Sequence, residues 1–124
     1  YDVDPKKIQY FGTHVWDKTA IVKEPGLSNS IFVTLDKNKV ATFKDLYKNI
    51  YDEKPHSIAV YAFDSIGLIS SLQNKNLEIS AKNILSDNGF NGLSGTFKFD
   101  KTGSIHRSLK LYQIKNEKII EIDN

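Results

Sequence analysis

The stretch YFGTHVWDK, residues 10–18, gathers side chains that could do chemistry. Gly12 is followed by Thr13, His14, Trp16 and Asp17, and Trp16 is the single tryptophan of the chain. A hydroxyl, an imidazole and a carboxylate so close together could contact a polar ligand or, in a suitable fold, exchange a proton. His14, His56 and His106 are the only histidines, and none stands three or four residues from another, so no helix face presents a metal-binding pair. No G-x-S-x-G elbow marks a serine nucleophile, and the serines suit caps and turns. With neither a nucleophile–base pattern nor a metal or cofactor fingerprint, the chain reads as non-enzymatic.

Two further features carry polar chemistry. GFNGLSGTF, residues 89–97, has glycines at 89, 92 and 95, a superficial phosphate cradle. A phosphate loop opens a helix and usually adds a lysine, whereas this run leads into the alternating TFKFD. It reads as an approach to a strand, with positive φ at some glycines. Asp64 lies inside an apolar helical pattern, where a carboxylate must be hydrogen-bonded to be tolerated. Pairing it with Tyr61 would make a functional site; a structural helix–loop contact is the favoured reading.

The elements that must position these residues follow from periodicity. KIQYFGT (7–13) and IFVTLD (31–36) are β-prone runs separated by the loop-like EPGLSNS. Phe43, Leu46, Tyr47, Ile50 and Tyr51 mark one face of a helix that Thr42 would cap and that ends near Lys54-Pro55. SIAVYAFDSIGLISSLQN (57–74) predicts a largely buried helix capped by Ser57. A shorter helix is expected over 77–87, with Gly89 ending it. The period then falls to two: Phe97 and Phe99 alternate with polar residues, DKTG (100–103) turns, and Leu109 and Leu111 alternate with Ser108 and Lys110. KNEK (115–118) leads into IIEI (119–122), which completes a terminal β-hairpin.

Composition narrows the partners. A formal charge of +2 from 17 basic and 15 acidic side chains is not the concentrated basic surface that holds phosphates, so nucleic acid is not expected. No apolar run approaches the roughly 18 residues of a membrane span. The absence of cysteine excludes disulfides and thiolate sites but is compatible with either redox compartment. With no methionine, even at position 1, Tyr1 is not expected to be a native translation start.

Taken together, FGTHVWD, the Tyr51-to-Pro55 helix end, AFDSIGL (62–68) and the G-x-x-G-x-x-x-F-D-x-x-G pattern of Gly92, Gly95, Phe99, Asp100 and Gly103 resemble, in order and spacing, the C-terminal part of the type I periplasmic binding proteins. This is the group containing leucine/isoleucine/valine-binding proteins. The resemblance covers nearly the whole chain and implies an α/β fold: residues 1–124 as a single partial domain, the C-terminal portion of a two-lobed molecule whose ligand sits between the lobes. It implies a periplasmic, non-enzymatic domain for a small polar solute, with Thr13 and His14 near the solute and Trp16 at the cleft mouth. Faces meant for the rest of the fold would be exposed, so association with the missing N-terminal portion or with a second copy is expected.

Two branches of that group compete. In amino-acid receptors the loop after the first strand often offers an acidic residue to the ligand's ammonium; His14 stands at the matching position, and a mostly neutral imidazole does not replace a carboxylate. Gly12 through Asp17, and the GFNGLSGTFKF segment with Arg107, look closer to penicillin-binding-protein activators, lipid-anchored periplasmic proteins that contact a cell-wall synthase. The transport-receptor reading is the main one and the activator is the alternative.

Overall fold

Phe11–Gly12 forms a two-residue strand, β1, parallel to β2, Ile31–Thr34. The computed structural model that shows this describes residues 4, 7–85 and 88–122. Ladder pairing thus covers only the end of the predicted KIQYFGT strand. The β1–β2 connection carries two 3-10 turns, His14–Trp16 and Pro25–Leu27, and one turn of helix, α1 (Thr19–Val22). Periodicity misses α1 because four residues are too few to express it, yet Val22 belongs to the core.

Contacts sort the chain into two units, one from residues up to Leu35 together with those from Leu109 onward, the other from Asp36 to Ser108. The first unit is a sheet ordered β1-β2-β6-β7, where β6 is Lys110–Lys115 and β7 is Lys118–Glu121. β2 and β6 are antiparallel, with Phe32 opposite Tyr112 and their rings stacked at 5.9 Å. Phe32, Tyr112, Ile114 and Val22 form its core, against which Trp16 and Leu27 pack. The inward residues of β6 are therefore Tyr112 and Ile114, not the Leu109–Leu111 alternation visible in the sequence; Leu109 is exposed. Asn116 and Glu117, at φ 51° and 56°, make the left-handed turn that suits the twist of a two-residue hairpin, and the expected terminal β-hairpin is present.

In the second unit, α2 spans Lys37–Tyr51. It starts five residues before the expected cap, because the Asp36 carboxylate accepts from the amides of Asn38 (2.9 Å) and Lys39 (3.2 Å). Thr42 is interior, and its hydroxyl donates to the Asn38 carbonyl. Asp52, at φ 53°, ends the helix ahead of Pro55. α3 covers Ala59–Asn74; Ser57 is not its cap, and Ile58 N–H instead meets His56 Nδ1 at 3.4 Å. The expectation of a largely buried helix is corrected: Val60, Asp64, Leu68 and Leu72 are buried while Tyr61, Phe63 and Ile66 are exposed. α4 is a single turn, Ala81–Ile84. The expected 77–87 helix shrinks to it because Leu77 and Ile79 find no burial; positions 86 and 87 lie outside the described residues.

β3 (Phe90–Gly92), β4 (Gly95–Phe99) and β5 (Ile105–Arg107) form an antiparallel sheet whose Phe97 packs on Leu68 and Leu72. Positive φ occurs at Gly89 and Gly95, as the glycine run suggests. The β4–β5 turn is held by Asp100, whose carboxylate accepts from the Thr102 hydroxyl (2.6 Å), the Thr102 amide (2.8 Å) and the Ser104 amide (3.1 Å) and meets His106 Nε2 at 2.8 Å. The Thr102 hydroxyl, followed by His106, holds the Asp100 carboxyl well below the usual carboxylate range. A depressed folded pKa contributes stability above the unfolded value, lost only as pH falls through the folded one. The Thr102 and Ser104 amide resonances are therefore expected to stay in place as pH falls through about 4, where an ordinary aspartate protonates. An NMR titration with its midpoint there would refute this.

Candidate functional site

Parallel strands present their carboxyl ends to ligands in α/β proteins. The chain leaves β1 at such an end and enters the His14–Trp16 turn, closed by Trp16 N–H to the Thr13 carbonyl (2.9 Å) and Asp17 N–H to the His14 carbonyl (3.1 Å). Thr13 and His14 are exposed, and the Thr13 side chain does not cap the turn. Trp16 is half-buried and packs on the first unit's core. Its indole lies flat against Gly12: a Cβ there would sit 2.2 Å from ring carbon Cδ2 and 2.5 Å from Cε3. Glycine at 12 is thus the space the tryptophan occupies. The turn brings the three sequence-predicted residues together, with Thr13 and His14 facing solvent and Trp16 anchoring the loop.

The second polar constellation lies in the 36–108 unit. Gly92 pairs with Gly95, so Leu93 and Ser94 form a two-residue turn whose amides both donate to Asp64, each at 2.8 Å. The Ser94 hydroxyl also donates to Asp64 Oδ2 and accepts from Arg107 Nη1, which lies 3.7 Å from the same carboxylate oxygen. The Arg107 guanidinium stands 5.0 Å from the Tyr61 ring centre and 4.6 Å from that of Phe97. A Cβ at position 92 would fall 2.3 Å from Asp64 Oδ2, so glycine admits the carboxylate to the turn. Asp64 is 5 % exposed and Ser94 fully buried. With both side chains buried and hydrogen-bonded to each other, the cluster locks a hairpin to a helix.

Sequence reasoning placed Asp64 correctly as a helix–loop carboxylate but did not connect it to Ser94 and Arg107. The available signal was a helix with one charged residue, which demands a buried counter-charge. A cleft of about 420 Å³ flanks the lock, lined by Phe63, Gly67, Ser71 and Lys39; Lys39 Nζ reaches Asn91 Oδ1 at 2.6 Å. Among the described residues no group of three or more His, Cys, Asp or Glu side chains could hold a metal ion, and no helix is long and apolar enough to cross a membrane.

No protein-family model matches the sequence, and no curated protein sequence matches it. The fold does match solved structures. A Rhodospirillum rubrum protein assigned as a branched-chain amino acid ABC transporter superimposes with a TM-score of 0.76 at 14% identity, over 93% of this chain and 37% of that one. An ABC transporter substrate-binding protein from Desulfitobacterium hafniense, in complex with Leu, gives 0.58 at 15% identity over 93% and 36%. A solute-binding protein from R. palustris in complex with benzoate gives 0.53 at 18% identity over 93% and 35%. The chain therefore has a leucine-binding-protein-like type I periplasmic binding fold, and it spans about 37% of the length of the first of these structures.

Proposed function

We propose that this chain is the C-terminal portion of a periplasmic solute-binding protein of an ABC transporter, and that the Thr13–Trp16 turn contributes to the solute site. The observation that carries the reading is the turn itself: a hydroxyl and an imidazole left exposed at the carboxyl end of a parallel strand, in a fold shared with solute-binding proteins. Residues 1–124 are then a partial domain of a two-lobed molecule, and the solute is small and polar. A branched-chain amino acid is the solute class nearest to the similar structures. His14 favours a second class, a small carboxylate without an ammonium group, as benzoate is in one of those relatives.

The penicillin-binding-protein activator reading draws on Gly12–Asp17 and Arg107. Trp16 is engaged with Gly12, and Arg107 with Asp64 and Ser94, so these residues supply no separate argument for a cell-wall partner.

Thermal unfolding of the complete native polypeptide tests the proposal with leucine, isoleucine and benzoate at millimolar concentration, with Trp16 fluorescence read in parallel. A solute present at a hundred times its Kd adds about 2.7 kcal/mol of stability. A shift with the amino acids selects the first class, and a shift with benzoate alone selects the second. No shift and no fluorescence change with any of them would overturn the transport reading.

A further inference from the structure

Arg107 uses only one nitrogen of its guanidinium in the lock. Nη1 donates to the Ser94 hydroxyl and, at 3.4 Å, to the Ser94 carbonyl, and faces Asp64 Oδ2 at 3.7 Å. A guanidinium is a rigid fork of N–H donors, and the edge formed by Nε and Nη2 has no protein partner among the described residues. The side chain is 14% exposed, a depth at which polar groups are ordinarily hydrogen-bonded. Among the described residues only Ser30 Oγ is both sealed from the surface and unpaired, so the free edge of Arg107 is open to the surface.

The surroundings of that edge select among ligands. Arg107 borders a cleft of about 480 Å³ that lies wholly in the 36–108 unit and is lined also by Tyr61, Ser65, Phe99 and Ile105. The guanidinium carbon stands 5.0 Å from the Tyr61 ring centre and 4.6 Å from that of Phe97, and these rings with Ser94 hold the fork in place. A fork held in this way matches a planar group with paired oxygens. Phe99 and Ile105 add apolar wall, which calls for an apolar body behind the charged end. Asp64 also lines the cleft, and its charge opposes a second anion; it sits on the Nη1 side, already held by the amides of Leu93 and Ser94 and by the Ser94 hydroxyl. A singly charged carboxylate is therefore favoured over a phosphate, which brings more charge toward Asp64. We propose that the cleft between α3 and the β4–β5 hairpin binds a small monocarboxylate with an apolar body, its oxygens accepting from Nε and Nη2 of Arg107 and its body lying on Phe99 and Ile105. The site is separate from the Thr13–Trp16 turn and does not rest on the solute-binding reading.

Cyclohexanecarboxylate is the probe, with cyclohexanecarboxamide and acetate as comparisons. Each is titrated into the complete native polypeptide and followed by NMR at the Arg107 Nε–H and the Ile105 methyl groups. With the carboxylate both signals are expected to shift and to saturate at millimolar concentration. The amide lacks the charge and acetate lacks the body, and each should bind more weakly by about tenfold or more. Ile105→Glu, at an exposed position outside the lock, brings a competing carboxylate to the cleft and should abolish the Arg107 shift. Should that variant fail to fold, the comparison of acid with amide on the unaltered protein still decides. No saturable shift, equal binding of acid and amide, or undiminished binding to Ile105→Glu would each overturn the proposal. A shift confined to the Trp16 indole N–H would overturn it too, and would place the carboxylate at the Thr13–His14 turn.

Discussion

Asp64→Ala is expected to destabilise the 36–108 unit by about 3–5 kcal/mol, the range for removing one partner of a buried ion pair. The carboxylate accepts from two backbone amides and from the Ser94 hydroxyl, and it neutralises Arg107. Alanine would strand the amides of Leu93 and Ser94 where water is scarce, and would take from Arg107 its carboxylate partner, leaving it on Ser94 and the Tyr61 and Phe97 rings. Asp64→Asn retains one acceptor oxygen and is expected to lose less. Urea denaturation, with amide exchange followed at residues 93 and 94, measures both variants. A loss under about 1 kcal/mol for alanine, the worth of one ordinary hydrogen bond, would show that the network orders the hairpin without stabilising it.

Gly12→Ala should have the second largest effect. The added methyl meets the fused edge of the Trp16 indole at 2.2–2.6 Å, and because those atoms belong to a rigid ring, neither side can yield by a small rotation. Overpacking of this kind costs about 1–3 kcal/mol. Trp16 is also the link between the Thr13–His14 turn and the core of Phe32 and Tyr112, so its expulsion should loosen the candidate site. We expect a red-shifted tryptophan emission, a lower unfolding midpoint and, in the complete polypeptide, weaker solute binding. An unchanged emission maximum would mean that the ring does not lie on Gly12 in solution. Gly26→Ala is the control, since the nearest atom to its Cβ is 3.9 Å away.

Several elements were legible because their signal is local. The helix α2, the strand IFVT and the KNEK turn each depend on residues within one window of sequence, although of the predicted α2 face only Phe43 is buried and Leu46, Ile50 and Tyr51 are exposed. Boundaries were less legible. Thr42 and Ser57 are good caps by residue type, but Asp36 captures the first turn of α2 and α3 begins without a side-chain cap. A cap is decided by which oxygen reaches the amides, and many residues of suitable type compete for that place. At the candidate site the sequence pointed to Thr13, His14 and Trp16, and the fold separates their roles: two are exposed, and the third is held by a glycine four residues earlier.

By itself the sequence determined the alternation of helix and strand, the terminal hairpin and the resemblance in order and spacing of four segments, because each is carried by neighbouring residues and their periods. Only the tertiary structure decided that Asp64, Ser94 and Arg107 form one buried lock, that α3 buries a single stripe and exposes its opposite, and that Gly12 makes room for Trp16. The physical reason is the same in each case. In the lock alone, hydrogen bonds and an ion pair join residues 64, 94 and 107, and no local pattern encodes which distant donor a carboxylate will meet.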